Sequence, residues 1–138
     1  MICIIRIKGE VGINRKIEER LYRLRLRRKY SCVVLKSTKE VEGLVKTLGD
    51  YVAFGEIDKK TFQKLIEKRG KVIDKKKKID YEKLFEDAEK GKKLEELNLK
   101  PFFRLHPPRR GIKSKIHFPK GALGNHKEKI NDLIERML

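Results

Sequence analysis

Tryptophan is absent, glutamine occurs once (Gln63), and only two cysteines, Cys3 and Cys32, occur in 138 residues. Two thiols cannot build a disulfide framework or a four-thiolate zinc site. Both lie in β-rich apolar stretches and read as buried, unreactive side chains in a reducing compartment. No run of about 18 apolar residues exists, so no segment spans a bilayer as a helix. The opening Met1-Ile2-Cys3-Ile4-Ile5-Arg6 is too short for a signal-peptide core, and the cytoplasm is the expected location. Proline is confined to Pro101, Pro107, Pro108 and Pro119, which denies residues 100–124 one long regular element. Catalytic signatures are missing too: there is no Gly-x-x-x-x-Gly-Lys-Ser/Thr phosphate loop and no Gly-x-Ser-x-Gly elbow. His106, His117 and His126 are spaced by 11 and 9 residues, which matches no common zinc pattern. No cofactor, metal, small-molecule substrate or enzymatic activity is expected.

What the chain has in excess is positive charge. Its 37 Lys+Arg against 20 Asp+Glu give +17 and a pI near 10.0, with 41% of residues charged and 38% hydrophobic. A polyanionic partner follows, nucleic acid before anionic membrane. The excess is uneven. Residues 1–55 carry 13 basic and 6 acidic side chains, residues 56–99 carry 14 and 11, and residues 100–138 carry 10 and 3. Two stretches stand out. Residues 20–29 (RLYRLRLRRK) hold six basic side chains and no acid, and residues 100–127 hold eight and no acid. Arginine is prominent in both, among Leu, Phe, Pro and Gly, and its planar fork suits phosphates and bases. The lysine run 75–78 reads instead as a solvated loop.

The pattern along the chain predicts a two-layer α+β core. Residues 2–8 alternate as a first strand, with Cys3, Ile5 and Ile7 on one face. A helix over 15–29 carries Ile17, Leu21 and Leu24. Residues 32–35 form a second strand. Ser37 and Glu40 suggest a capping box for a helix with Val41, Leu44, Val45 and Leu48. Residues 51–54 form a third strand, stopped by Gly55. This βαβαβ unit, residues 1–58, is followed by an extension, residues 59–138. Asp58 caps a helix with Phe62, Leu65 and Ile66, closed by Gly70. Asp80 caps another with Tyr81, Leu84, Phe85 and Ala88, ending at Gly91. Leu94 and Leu97 mark a short amphipathic turn. Phe102, Phe103 and Leu105 form a short strand or anchor. A basic loop, 100–124, leads to a last helix, 125–138, capped by Asn125 and bearing Ile130, Leu133, Ile134 and Met137.

One literal match is weak. Gly121-Ala122-Leu123-Gly124 has the Gly-x-x-Gly form of a KH loop, but Phe118-Pro119 argues against the helix that should precede it. Its glycines still permit close approach of backbone to phosphate.

Taken together, IIRIKG, RLYRLRLRRKYS, VVLKST and YVAFGEID, with the tail motifs PFFRLHPPRRG and HFPKGALGNHKEKINDLIERML, resemble the universal large-subunit ribosomal protein family numbered thirty. The tail resembles its long archaeal form, whose eukaryotic counterpart is numbered seven. The resemblance implies a ferredoxin-like βαβαβ core with a three-stranded antiparallel sheet in order 3-1-2, where residues alone favour parallel crossovers. It also implies a structural role in the ribosome: binding large-subunit ribosomal RNA, near 5S RNA, beside neighbouring ribosomal proteins. The family tail commonly reads Pro-Arg-Gly-Gly. Here Arg110 replaces a glycine, which argues against a positive-φ turn at that position, and Lys100 replaces an aromatic anchor.

The residues expected to touch RNA are Arg15 and Lys16 at the start of the first helix and Arg25, Arg27, Arg28 and Lys29 at its end. From the tail they are Arg104, His106, Arg109, Arg110, Lys113, Lys115, His117 and Lys120. The two groups read as separate RNA-facing sites. The alternative is a DNA-binding architectural protein, which should carry helix-turn-helix, zipper or minor-groove wedge features; none is visible.

Overall fold

β1 (Ile2–Arg6) is a run of β-formers buried at every position. A strand apolar on both faces must be covered on both, which places it in the middle of a sheet. β2 (Ser31–Leu35) and β3 (Val52–Glu56) pair antiparallel on either side of it, so the order 3-1-2 holds. The computed structural model describes residues 1–9, 11–76, 81–91, 96–112, 116, 118 and 120–138. Lys77, Lys78, Asp80 and Leu94, assigned roles above, lie outside these.

The three expected strands are the middle of a five-stranded sheet, ordered β4-β2-β1-β3-β5. β4 (Phe103–Arg104) pairs antiparallel with β2, and β5 (Gly124–Asn125) pairs parallel with β3. The tail thereby satisfies backbone groups along both outer strands. It is held there because Phe103 and Leu123 are fully buried side chains.

Two helices cover one face: α1 (Arg15–Arg23) and α2 (Lys39–Thr47), with Leu21 and Val45 packed against Ile2, Ile4 and Val33. The other face is covered by the extension: α3 (Lys59–Arg69), α4 (Tyr81–Glu89) and α5 (Ile130–Met137). Phe62, Leu84 and Ile134 pack there against Cys3, Ile5 and Cys32. The βαβαβ unit is two-layered as expected, and the extension supplies a third layer. The thiols of Cys3 and Cys32 lie 3.1 Å apart in this core. The hydrogen bond shared with Cys3, and then burial, push Cys32 well above the ordinary thiol range, so its thiol stays protonated.

Local chemistry sets the element ends, with four departures from the sequence pattern. Asp58 caps α3 as expected, its carboxylate accepting from Thr61 N–H at 2.7 Å. α2 is capped by Thr38, not Ser37: Thr38 Oγ1 accepts from Val41 N–H at 3.2 Å, whereas Ser37 Oγ donates to Glu42. β3 runs through Gly55 to Glu56. A Cβ at Gly55 would strike the Lys127 carbonyl and lie 2.9 Å from Ile130 Cβ, so this glycine admits a neighbour and does not end the strand. Asn125 is a strand residue paired with Phe54. It does accept from Lys127 N–H, but α5 is entered through a 3₁₀ turn, Lys127–Lys129. Residues 121–124 feed the parallel strand, with Ala122 and Leu123 buried, which is no KH loop.

The fourth departure matters most for function. α1 ends at Arg23, six residues short of Lys29. Arg25 takes φ 65°. Its N–H bonds to Tyr22 O, and Leu26 N–H reaches Leu21 O at 2.9 Å. This pair of bonds is a Schellman motif, with Leu21 and Leu26 buried in the same apolar cluster. Glycine usually occupies the left-handed position, so an arginine there gave no sign of the stop.

Candidate nucleic-acid interface

Residues 24–30 follow α1 as an irregular turn with left-handed residues near both ends, Arg25 at φ 65° and Tyr30 at φ 66°. The turn is held from below by Arg6. This side chain is 1% exposed. Its Nη1 donates to Leu26 O at 2.7 Å and its Nε to Lys8 O at 3.0 Å. The Arg6 carbonyl accepts from Tyr30 N–H at 2.7 Å. One strand residue thus fixes the middle and the end of the turn. Its signal in the sequence is a charge inside the apolar run Ile2-Cys3-Ile4-Ile5-Arg6-Ile7.

So fixed, the turn presents Arg25, Arg27, Arg28 and Lys29, all exposed. The β2–β4 ladder sets Ser31 opposite Arg104, and so brings a tail arginine to this group. Arg27 lies over the Tyr22 ring at 4.5 Å and Arg104 over Phe102 at 5.8 Å. Lys29 lies over Tyr30 at 5.2 Å. Arg25, Arg27, Arg28 and Arg104 line one cleft with Tyr22, Phe102 and the buried Ser31. Tyr22 and Ser31 were not singled out from the sequence, because only the fold sets them beside Phe102.

The tail then passes the same turn: Leu105 N–H bonds to Tyr30 O and His106 N–H to Met137 O. Residues 108–111 make a second turn, closed by Gly111 N–H on Pro108 O. Arg110 has φ 67° and Gly111 φ 69°, so the positive-φ conformation is adopted without the glycine. Arg136 from α5 holds it. Its Nη2 donates to Arg109 O at 2.8 Å and Gly111 O at 2.6 Å, and its Nε to Arg109 O at 3.0 Å. Arg109 and Arg110 are exposed on this turn, as is His106 before it.

The remaining candidates are apart. Arg15 and Lys16 are exposed at the far end of α1, about 13 Å along the axis. Arg15 is partly answered by Glu19 at 4.0 Å. Lys120 is exposed in the turn before β5. Lys113, Lys115 and His117 lie outside the described residues. His126, by contrast, is 6% exposed. It packs on Phe118 at 4.6 Å and donates from Nε2 to Ala122 O at 2.6 Å. Burial lowers its pKa, opposed by that hydrogen bond. It is a structural imidazole. The expectation of two separate sites changes: Arg104 leaves the tail group and joins the first turn, and Leu105 ties the two regions together.

Among the described residues no group of three or more His, Cys, Asp or Glu is arranged to hold a metal, and no helix is long and apolar enough to cross a membrane. Residues 2–52 match the family described as ribosomal protein L30p/L7e. The whole chain is similar to proteins named large ribosomal subunit protein uL30. It is 42% identical to that of Archaeoglobus fulgidus, covering 99% of both chains. It is 40% identical to that of Nanoarchaeum equitans, covering 100% of this chain and 99% of the relative. For Methanococcus maripaludis the identity is 37%, with 99% and 98% covered.

Proposed function

We propose, because the chain belongs to the ribosomal protein L30p/L7e family, that it is a structural constituent of the large ribosomal subunit and holds ribosomal RNA through its two arginine-bearing turns. Its place is the cytoplasm, within the ribosome, and its role is not enzymatic. Partners are ribosomal RNA and neighbouring ribosomal proteins; proximity to 5S RNA is part of the proposal. The observation that carries the reading is the convergence of Arg25, Arg27, Arg28 and Arg104 across the β2–β4 ladder. Four guanidinium groups on a braced backbone, with no acid among the described residues that line this cleft, are a phosphate-binding surface rather than a solvated helix face. The turn bearing Arg109 and Arg110 gives a second contact. Folded RNA offers phosphates, 2′-hydroxyls and shape more than readable base edges, so binding should be strongly salt-dependent and weakly sequence-selective.

Changing Arg109 and Arg110 together to alanine should weaken binding to large-subunit RNA. It should flatten the salt dependence by roughly 0.7–0.9 log units per log salt for each lost phosphate contact, with the thermal midpoint unchanged. A fallen midpoint with unaltered affinity would make the turn structural. Co-sedimentation with large subunits rather than with DNA separates this reading from an architectural DNA binder.

A further inference from the structure

Phosphate binding needs only exposed charge, and a convex surface would serve. The surface between residues 22–31 and β4 is instead a cleft of about 350 Å³. That lies at the small end of ligand pockets. It is too small for a duplex and of the order of one nucleotide. Its walls are flat. Two of the residues lining it are rings with a guanidinium over them: Tyr22, 51% exposed, under Arg27, and Phe102 under Arg104. Rings and guanidinium planes are the groups on which unpaired bases stack, and every base has such a face. Arg25 and Arg28 stand at the same cleft, where a nucleotide's own phosphates would lie. Phe102 also packs against the core, but the exposed Tyr22 ring does nothing for a purely electrostatic contact.

Resting on the reading that the chain binds RNA, we propose that this cleft takes one unstacked nucleotide. Its base stacks between the Tyr22–Arg27 and Phe102–Arg104 walls, and its phosphates meet Arg25 and Arg28. Stacking carries no base identity, so the cleft selects unpaired over paired nucleotides and not one base over another.

Two probes of equal charge test this with the full chain: hexauridylate, and the same ribose-phosphate chain without bases, each measured by fluorescence anisotropy over a salt series. The wild-type chain should bind hexauridylate about 5- to 100-fold more tightly. Tyr22→Ala, an exposed position, and Arg104→Lys, which keeps the charge and loses the plane, should each bring hexauridylate towards the abasic affinity with the salt slope unchanged. Equal binding of both probes by the wild-type chain, with a steep salt slope, overturns the nucleotide cleft and leaves the electrostatic reading standing. Equal losses on both probes in the variants overturn it as well. Absence of salt-sensitive binding to either probe overturns the RNA reading itself.

Discussion

The turns at residues 24–30 and 108–111 solve one problem in two ways. Each must present arginines on a fixed backbone, each places an arginine at positive φ, Arg25 at 65° and Arg110 at 67°, and each is held by a further arginine bonding to main-chain carbonyls. In the first turn the holder is Arg6, buried beneath it in the central strand. In the second it is Arg136, at the rim of the last helix. A buried guanidinium is desolvated, so its hydrogen bonds are strong and its loss leaves carbonyls without a partner; the rim arginine is replaced readily by water. The first turn should therefore be rigid in the free protein and the second more easily deformed. A cleft with shaped walls belongs with the rigid one.

The largest effect that would break this comparison is at Arg6. Arg6→Met should destabilise the fold by about 2–4 kcal/mol, because the Leu26 and Lys8 carbonyls lose their donor. Arg136→Met should cost about 0.5–1.5 kcal/mol. Denaturant unfolding of both variants decides the order, and equal losses would show that burial does not separate the two braces.

Smaller effects sharpen it. Arg25→Gly and Arg110→Gly each relieve a left-handed non-glycine residue and should stabilise by about 0.5–1 kcal/mol, while each removes one cation from the proposed RNA-binding surface. Thermal midpoints should rise as affinity for large-subunit RNA falls. A falling midpoint would mean that the side chain, rather than the backbone, holds the turn.

The smallest is a pH effect on a third connection, residues 120–126, pinned by the buried imidazole of His126. Its folded pKa is lowered, mainly by burial. The unfolded imidazole therefore takes its proton near pH 6.5, while the folded one still resists it. Stability from this group is full above about pH 6.5, declines as pH falls below that value, and levels off below the folded pKa. Melting curves should show this decline in the wild-type chain and a flatter profile in His126→Gln.

How far these features were legible follows from the range over which each is decided. Asp58 before Phe62, Leu65 and Ile66 announces a capped helix because cap and stripe lie within one short segment. The alternation Cys3, Ile5, Ile7 announces a strand for the same reason, and the basic excess of residues 20–29 and 100–127 is visible as composition. The stop of α1 at Arg23 was not legible, since a Schellman end without glycine depends on Leu26 finding Leu21 in the core. Nor was the continuation of β3 through Gly55, because the carbonyl that excludes a side chain there belongs to Lys127, far along the chain. The site shows the same division: Arg25, Arg27, Arg28 and Arg104 were chosen by charge, whereas Tyr22, Ser31 and the bracing Arg6 and Arg136 carry no local mark.

The sequence by itself determined the alternation of strands and helices, the caps that local side chains make, the family and the abundance of cations for a polyanion, because each is set by neighbours in the chain or by sums over it. Only the tertiary structure decided that the tail closes both edges of the sheet, that Arg104 stands against Ser31, and that two rings and four guanidinium groups enclose one cleft. Those are contacts between residues about seventy to eighty positions apart, fixed by which apolar faces bury one another and by which carbonyls remain for two arginines to hold.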